Sequence, residues 1–371
     1  MGQLDELIAI SRFYGDNPDY VIAGGGNTSM KDRDRIWIKA SGIPLAGIGP
    51  EGFVSLSREK LAVIESKSYS SDPVEREGQV KSDLTAAILA PGDLRPSVET
   101  SLHNLIGYTF VIHTHPTRVN ALMCSRDAGS ETKKRFGEEA LYMEYTDPGF
   151  ILFKQLQRKI EEYRKRHSND PRIIFLQNHG VFVGADRVKE VRKLYDDIDS
   201  KLNEGTDLDL PACEPEEDRE THFAGAALKY FQSRGRIAQT YTCELIRHFT
   251  RDKAHLMKVS RPFTPDMIVY CKSNYLMVDK SVPPDYLPEV VSSFESENGY
   301  LPRIILQEGG GMTVVEESEK SLRTAREVFL DLMKISYLSE QFGGPHFMTD
   351  AQIRFIDNWE VEHYRRKVAR G

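Results

Sequence analysis

The sequence predicts an α/β protein with two domains, and three observations support this prediction. The chain has 371 residues, more than one ordinary domain holds and enough for two. Apolar residues make up 40% and charged residues 28% of the chain, so each domain can bury a core. Short apolar runs alternate with segments of helical periodicity on both sides of an acidic stretch at 203–220. We therefore predict domains at 1–205 and 206–371.

The first domain contains several strand-like runs and two clear helices. The runs rich in apolar residues are Tyr20–Ala23, Arg35–Lys39, Phe110–Ile112, Ile173–Leu176 and Val181–Val183. Apolar residues recur at helical spacing from Phe150 to His167, and again in the segment from Val188 to Ile198. This alternation of strands and helices is typical of an α/β fold.

The second domain follows a predicted linker at 203–220, which is acidic and lacks apolar periodicity. A helix is predicted around Leu228, Tyr230, Phe231 and Ile237. The α/β pattern then returns with the apolar runs Met267–Tyr270 and Arg303–Leu306, a glycine-rich turn, and a helix from Lys320 to Tyr337. The sequence itself shows no internal repeat.

Composition excludes several classes of function. A net charge of −7 and a pI near 5.9 argue against nucleic acid as a partner, although a small anion needs only a local positive pocket. No apolar run is long enough for a membrane span, and Asp5 and Glu6 make the N-terminus unlike a signal peptide. The 4 cysteines contain no Cys-x-x-Cys pair. We therefore expect a cytoplasmic protein with reduced thiols and no membrane partner.

Three histidines form the strongest candidate site. In Val111-Ile112-His113-Thr114-His115-Pro116, the two imidazoles of a strand would share one face and converge on one point. A lone His-x-His pair is often incidental, but His179 ends another apolar strand beside a glycine. Three histidines with one open position are typical of a catalytic zinc site.

A carboxylate lies shortly before the histidine pair. Glu99 precedes His103 by four residues, so both would lie on one helical face. Glu99 could act as a general base next to a metal-bound substrate. Alternatively, it could cap a helix that starts near Pro96 and Ser97, and the spacing does not decide between the two.

A glycine-rich segment offers a candidate anion pocket. Gly24-Gly25-Gly26-Asn27-Thr28-Ser29-Met30-Lys31 could present backbone N–H groups, side-chain donors and a cation, with Ser41 and Gly42 after the next strand. Ser29 and Lys31 would share a face of a strand, although Lys31 could equally be solvated. The segment is neither a Walker A loop nor a Gly-x-Gly-x-x-Gly fingerprint, which disfavours a Rossmann dehydrogenase.

These motifs together resemble the class II aldolase/adducin family. The motifs that occur in the family's order are Gly-Gly-Asn-Thr-Ser-Met-Lys, Ala-Ser-Gly-Ile-Pro, Glu-Thr-Ser-Leu-His, His-Thr-His-Pro and Asn-His-Gly-Val. The resemblance implies a three-layer α/β/α domain with a central, mostly antiparallel sheet. It also implies His113, His115 and His179 as ligands of zinc or another divalent metal, and Glu99 as the acid/base. The implied phosphate-binding residues are Gly26, Asn27, Ser29, Lys31, Ser41, Gly42 and Ser97.

The second half is similar to the aldolase portion of bifunctional rhamnulose-phosphate aldolase/dehydrogenase proteins. The similarity lies in 261–340, with Ile-Ile-Leu-Gln-Glu-Gly-Gly-Gly-Met, and in the later Asp-Asn-Trp-Glu-Val-Glu. It implies a smaller C-terminal α/β domain, in which the turn at 309–311 is structural. The chain departs from fuculose-phosphate aldolases at Gly24, where those often carry threonine, and at Ser97-Val98, where they pair two hydroxyl residues.

The function implied by the resemblance is zinc-dependent cleavage of a ketose 1-phosphate of the rhamnulose or fuculose type. Glu99 would move the proton at the carbon of dihydroxyacetone phosphate, and a tyrosine such as Tyr145 would serve the other fragment. Members usually form ring-shaped homotetramers with sites between subunits. The alternatives are an epimerase, decarboxylase or dehydratase on the same scaffold, or a non-catalytic adducin-like scaffold.

Overall fold

A computed structural model describes residues 2–90, 92–219 and 221–358. The chain divides into two compact units, one of Met1–Met123 with Ala128–Thr206 and one of Cys124–Asp127 with Asp207–Gly371. The later part of the Asp-Asn-Trp-Glu-Val-Glu motif, from Trp359 on, lies outside the described residues.

The first unit combines a seven-stranded sheet with eight α-helices in its described part. Its strands are β1 (Asn27–Lys31), β2 (Arg35–Lys39), β3 (Phe53–Ser57), β4 (Phe110–Thr114), β5 (Ala140–Met143), β6 (Ile173–Leu176) and β7 (Gly180–Ala185). Its helices are α1 (Gln3–Gly15), α2 (Arg58–Ser66), α3 (Pro73–Ala86), α4 (Thr100–Leu105), α5 (Thr117–Met123), α6 (Ala128–Phe136), α7 (Phe150–His167) and α8 (Val188–Asn203). A short 3₁₀ helix spans Pro50–Gly52.

The sheet of the first unit has the order β3-β2-β1-β4-β7-β6-β5 and is antiparallel except between β5 and β6. Helices cover both of its faces. On one face, residues of α4 and α7 pack with Val111 and Ile174 in a single apolar core. On the other face, Tyr195 of α8 contacts Thr114. The predicted fold class, an α/β/α domain around a mostly antiparallel sheet, is confirmed.

The second unit contains a five-stranded sheet and its own helices. Its strands are β8 (Glu216–Asp218), β9 (Ile237–Thr242), β10 (Leu276–Val278), β11 (Ile304–Gln307) and β12 (Met312–Glu316). Its helices are α9 (His222–Ser233), α10 (Glu244–Thr250), α11 (Lys253–Met257), α12 (Pro265–Cys271), α13 (Leu287–Asn298), α14 (Glu319–Ser339) and α15 (Asp350–Asn358), with 3₁₀ helices at Pro284–Tyr286 and Glu340–Phe342. The sheet order is β10-β11-β12-β9-β8, with only β10 and β11 parallel.

Three of the predicted elements are wrong. Tyr20–Ala23 forms turns, with the Val21 N–H bonded to the Asn17 carbonyl, and the strand begins only at Asn27. Ile237 starts β9, because α9 ends before Gly235, whose φ of +69° is left-handed. The run Met267–Tyr270 lies in α12, which begins at Pro265. This run is buried throughout, and periodicity cannot distinguish such a helix from a buried strand.

No helix in the described ranges is both long and apolar enough to cross a membrane.

Candidate metal and acid–base site

The end of β4 supplies two of the three candidate metal ligands. Alternation along the strand turns His113 and Thr114 to opposite faces of the sheet. The Thr114 hydroxyl lies 2.7 Å from that of Tyr195, on the face covered by α8. His115 follows the strand, and its backbone N–H donates to the Tyr20 carbonyl at 3.0 Å. These contacts of Thr114 and His115 fix the end of β4, and with it the positions of His113 and His115.

The tight connection between β6 and β7 supplies the third ligand, His179. Asn178 adopts a left-handed φ of +54°, which lets the chain reverse within three residues. Gly180 then passes very close to β4, since a Cβ atom there would lie 2.5 Å from the Thr114 carbonyl oxygen and 2.7 Å from Cδ2 of His115. Only glycine allows this approach, which brings His179 against the histidine pair.

The three imidazoles converge through their Nε2 atoms. The Nε2 of His113 lies 3.0 Å from that of His115 and 3.3 Å from that of His179. Nitrogens that bind zinc at about 2.0–2.1 Å in a tetrahedral site lie about 3.3–3.4 Å apart. The arrangement therefore fits a divalent metal ion, with His113, His115 and His179 as ligands.

The protonation of His113 suits a metal ligand. Its Nδ1 lies 3.0 Å from the Val181 carbonyl oxygen, which can only accept, so Nδ1 carries the proton and Nε2 offers its lone pair. The ring also stacks on Phe182, with centroids 4.1 Å apart. Burial lowers the pKa of His113 well below its ordinary value, so the imidazole is neutral and can bind a cation.

Glu99 directs one carboxylate oxygen at the same point. Its Oε1 lies 3.6 Å from Nε2 of His113 and 3.5 Å from Nε2 of His179. That oxygen is buried and has no hydrogen-bond partner among the described residues. Glu99 immediately precedes α4, yet its side chain makes no capping hydrogen bond. Glu99 is therefore the N-cap residue of α4 by position, but its side chain faces the imidazoles and does not cap the helix.

The ionisation of Glu99 reflects opposing effects. Burial alone would raise its pKa, but positive charge at His113 and His179, which a bound cation would supply when the rings are neutral, and the Asn27 amide lower it. Glu99 is thus a carboxylate at neutral pH, able to accept a proton or to face a cation.

A hydrogen-bond network fixes the other oxygen of Glu99. The Asn27 Nδ2 group donates to Oε2 of Glu99, while Oδ1 of Asn27 contacts Nε2 of His103. The Nδ1 atom of His103 lies 2.7 Å from the Ser29 hydroxyl. Burial lowers the pKa of His103 to about 3, so the ring is neutral. Because Oδ1 can only accept, His103 carries its proton on Nε2 and Ser29 donates to Nδ1.

Ser29 and Lys31 are turned into this interior network, not towards an open pocket. Ser29 is fully buried, and the Lys31 ammonium donates to the His103 carbonyl at 2.7 Å with only 5% of the residue exposed. The expectation that Ser29 and Lys31 bind a phosphate is therefore corrected. The two residues share a strand face, as alternation predicts, but that face is covered by α4.

The remaining candidate phosphate-binding residues lie on three neighbouring segments, which contain Gly26, Ser41 with Gly42, and Ser97. Lys39 is buried and donates to the Ile43 carbonyl at 2.6 Å and to the Gly24 carbonyl at 3.4 Å, so it joins two of these segments. The Ser41 N–H donates to the Arg95 carbonyl at 2.8 Å, which brings in the third segment, where Ser97 accepts from the Glu99 N–H at 3.2 Å.

Two glycines shape this part of the site. Gly26, with φ of +62°, passes so close to β4 that a Cβ atom would lie 2.8 Å from the His113 carbonyl oxygen, and Gly42 has φ of +82°. Sequence reasoning missed Lys39, although a cation at the end of an apolar strand beside Ser41-Gly42 is a usable signal.

Tyr145 follows β5 and is tied to the connection that carries His179. Its backbone N–H donates to Oε1 of Gln177 at 3.0 Å. Burial and the nearby Asp147 raise the pKa of its hydroxyl, so the group stays protonated.

Comparison with known proteins assigns the chain to a family. Residues 5–200 match the class II aldolase and adducin N-terminal domain family, which is just over half of the chain. The chain therefore belongs to this family, and the family resemblance of the motifs is confirmed.

Individual relatives are more distant. The chain is 25% identical over 189 residues to the uncharacterized oxidoreductase YuxG of Bacillus subtilis (strain 168), a match of 48% of this chain and 26% of that protein. The chain thus spans about a quarter of the length of this relative. The N-terminal class II aldolase domain of a conserved protein from Thermoplasma acidophilum is 27% identical, with 55% of this chain and 93% of that chain covered and a TM-score of 0.46. The L-fuculose-1-phosphate aldolase of Thermus thermophilus is 17% identical, with coverages of 53% and 92% and a TM-score of 0.35.

Proposed function

We propose that the first unit is a zinc-dependent aldolase that cleaves a ketose 1-phosphate into dihydroxyacetone phosphate and an aldehyde. The observation that carries this proposal is the convergence of three imidazole nitrogens and one carboxylate oxygen on a single point. Three nitrogen ligands with an open fourth position are typical of a catalytic zinc site, and the family supports carbon–carbon lyase chemistry.

The metal is assigned to His113, His115 and His179. A divalent cation held there would polarise a bound carbonyl and stabilise the negative charge that develops beside it. The protein's contribution is the fixed orientation of the three rings, of which His113 is set by the Val181 carbonyl and Phe182.

Glu99 is proposed as the acid/base at the carbon where the bond forms and breaks. In the synthetic direction, the carboxylate takes a proton from the hydroxymethyl carbon of dihydroxyacetone phosphate, and in cleavage it returns that proton. Its Oε1 is suited to this step, because Oε2 is occupied by Asn27 and Oε1 is left directed at the centre.

His103 and Asn27 are proposed as positioning residues for Glu99. The His103 proton on Nε2 fixes the Asn27 amide with its oxygen towards the ring, so that Nδ2 can only point at Glu99. Without this ring the amide could turn over and present its oxygen to the carboxylate, which would repel it.

Tyr145 is proposed to protonate the aldehyde oxygen in the synthetic direction. Its raised pKa keeps the hydroxyl protonated, and its backbone is bonded to the connection that carries His179. Tyr145 is the residue to change first when the second acid/base is sought.

The phosphate is assigned to the turn at Gly26 and to Ser41, Gly42 and Ser97. Lys39 is proposed as the cation because of its position, since its ammonium contacts Gly24 and Ile43 beside the two glycine turns, whereas that of Lys31 lies against α4. Asn27, Ser29 and Lys31 are left out, because the Asn27 amide is bonded to Glu99 and His103 and the polar atoms of the other two are buried against His103. The homotetramer stays a prediction, which light scattering of the purified protein tests.

The test is a screen of ketose 1-phosphates, in which the release of dihydroxyacetone phosphate is measured through coupled oxidation of NADH. Release should depend on the metal and stop on chelation, and Glu99→Gln should slow it by about 10²–10⁴-fold. Analysis of the same mixtures by mass spectrometry covers the rival chemistries. Epimerisation, decarboxylation or dehydration without dihydroxyacetone phosphate would replace the aldolase proposal.

A further inference from the structure

The sheets of the two units repeat one pattern of strand pairing. In the first unit, β1, β4, β7, β6 and β5 lie side by side in that order, and in the second unit β8, β9, β12, β11 and β10 do the same. Every pair of neighbours agrees in direction, including the single parallel pair, β5 with β6 and β10 with β11. The order along the chain agrees as well. The strands β1, β4, β5, β6 and β7 follow one another in the first unit as β8, β9, β10, β11 and β12 do in the second.

The agreement extends to the register of individual residues. Phe110 of β4 pairs with Ala185 of β7, and Ile237, which lies 127 residues after Phe110, pairs with Glu316, which lies 131 residues after Ala185. The same offset of 131 relates β6 to β11, because Ile173 pairs with Val183 and Ile304 pairs with Val314. The other paired residues of these strands obey the same two offsets.

Two pairs of helices obey the same offsets. Adding 127 to Thr117–Met123, the bounds of α5, gives Glu244–Thr250, the bounds of α10. Adding 131 to Val188, where α8 begins, gives Glu319, where α14 begins. Two unrelated α/β arrangements have no reason to share both strand register and helix boundaries.

The connection that carries His179 has a detailed counterpart at 309–311. Asn178 and Gly309 are the left-handed residues, with φ of +54° and +70°. Their N–H groups donate to the last residues of α5 and α10, Met123 and Thr250.

The close approach of a glycine to the neighbouring strand is repeated too. A Cβ atom on Gly180 would lie 2.5 Å from the Thr114 carbonyl oxygen, and one on Gly311 would lie 2.6 Å from that of Tyr241. In both hairpins a glycine thus allows the connection to lie against the neighbouring strand.

We infer that the second unit is a copy of the fold of the first unit that has lost the metal ligands, so the chain holds one catalytic metal ion and not two. At the positions of His113, His115 and His179, the offsets give Thr240, Thr242 and Gly310. Neutral hydroxyl groups and a glycine do not form a zinc site. The Thr240 hydroxyl instead lies 2.7 Å from that of Thr313, which takes the place of Phe182.

The copy also lacks the segment that carries the acid/base. Glu99 lies in the long connection from β1 to β4, whereas only residues 219–236 join β8 to β9, with α9 as the helix described there. The second unit therefore keeps the framework of sheet, hairpin and helices without counterparts of the three histidines and Glu99. The count of one metal ion rests on the metal site of the proposed function, whereas the repeat of the fold does not.

The decisive experiment restores the lost ligands in the full-length protein. The variant carries Thr240→His, Thr242→His and Gly310→His, with Gln307→Ala because a Cβ atom on Gly310 would meet the Gln307 carboxamide oxygen. Bound cobalt(II) per chain is measured by elemental analysis and by the visible absorption of tetrahedral cobalt. The wild type should bind one ion, and the variant two.

A matched control moves one ligand to the other face of β9. The control variant carries Gln239→His in place of Thr240→His. It should bind one ion per chain, since residues 239 and 240 lie on opposite faces of the sheet. In a His113→Ala/His115→Ala background the grafted site alone should still bind one ion, which separates this test from any failure of the native site. Two ions in the wild type, or no gain in a folded grafted variant, would overturn the inference.

A crystal structure of the wild-type chain provides the second measurement if the grafted variant does not fold. The repeat predicts that β9 pairs with β12 in the register given by the offsets, and that Thr240, Thr242 and Gly310 superpose on the three histidines. Any other register or strand order in the second unit would refute the repeat.

Discussion

Lys31 offers a test of how the first unit is built, because its ammonium is buried against a backbone carbonyl. It donates to the His103 carbonyl at 2.7 Å. Burial lowers its pKa from the ordinary 10.5 to about 7, and Arg58 adds to this, while Asp170 and Asp186 oppose it. Replacing Lys31 with methionine keeps an unbranched apolar stem of nearly the same length and removes the ammonium group.

The size of the change in the free energy of unfolding follows from linkage between proton binding and folding. Between pH 7 and 10.5 the unfolded chain keeps the proton on Lys31 and the folded chain has lost it, so stability rises with pH. A pKa lowered from 10.5 to about 7 corresponds to about 5 kcal/mol over the whole range, at about 1.36 kcal/mol per unit. About 2 kcal/mol of this falls between pH 7 and pH 9.

The assay is urea unfolding of the metal-free protein at pH 7 and pH 9. Fluorescence of Trp37 on β2 reports on the first unit once Trp359 has been replaced with phenylalanine. The wild type should gain about 2 kcal/mol more than Lys31→Met between the two pH values. Lys165→Met, which removes an exposed lysine from α7, should leave the gain unchanged.

Equal gains for the wild type and Lys31→Met would refute the reasoning. They would mean that Lys31 keeps its proton in the folded protein, as a lysine in water or against a bound anion does. In that case the assignment of Lys31 to the phosphate pocket would return.

Other variants test the site itself. His113→Ala and His179→Ala should each reduce bound zinc from about one ion per chain to a small fraction, measured by elemental analysis, and full occupancy in His113→Ala/His115→Ala would contradict the ligand set. Glu99→Gln should lower turnover by about 10²–10⁴-fold with zinc and fold retained, and unchanged turnover would place the base elsewhere. His103→Phe should lower kcat more than His103→Gln, which can still donate to Asn27. Neither change should add to Glu99→Gln in a double-mutant cycle, whereas additive losses would mean that His103 does not act through Glu99. Lys39→Met should raise the KM of a phosphorylated substrate far more than that of the free sugar, and equal effects would remove Lys39 from the phosphate pocket.

The grouping of the three histidines follows from the sequence for a simple reason. Residues i and i+2 of a strand share a face, and a glycine beside His179 signals a tight connection. Both signals are local, and the structure places the three Nε2 atoms together.

The identity of the buried face is not a local property, and here the sequence misleads. Alternation puts Ser29 and Lys31 on one side of β1, but only the position of α4 decides that this side is interior. The buried helix α12 resembles a strand in the sequence for a related reason, since a run that is apolar on all sides has no periodicity to read.

The expectation that the sequence has no internal repeat is corrected, since Pro171-Arg172-Ile173-Ile174 recurs 131 residues later as Pro302-Arg303-Ile304-Ile305. The repeat is hard to see because most other equivalent residues of these strands differ, as His113 and Thr240 do, while register and hairpin geometry are kept. Backbone pairing can be kept by many side chains, whereas motif searches depend on the side chains themselves.

The opposite orientations of His113 and Thr114 make metal uptake a report on folding. A slip of β4 by a single residue would turn both imidazoles into the face covered by α8 and put Thr114 in their place. A chain trapped in that misaligned state would have a compact sheet and no ligand set. The fraction of chains that load metal after refolding therefore measures the yield of correctly aligned sheets, independently of secondary-structure content.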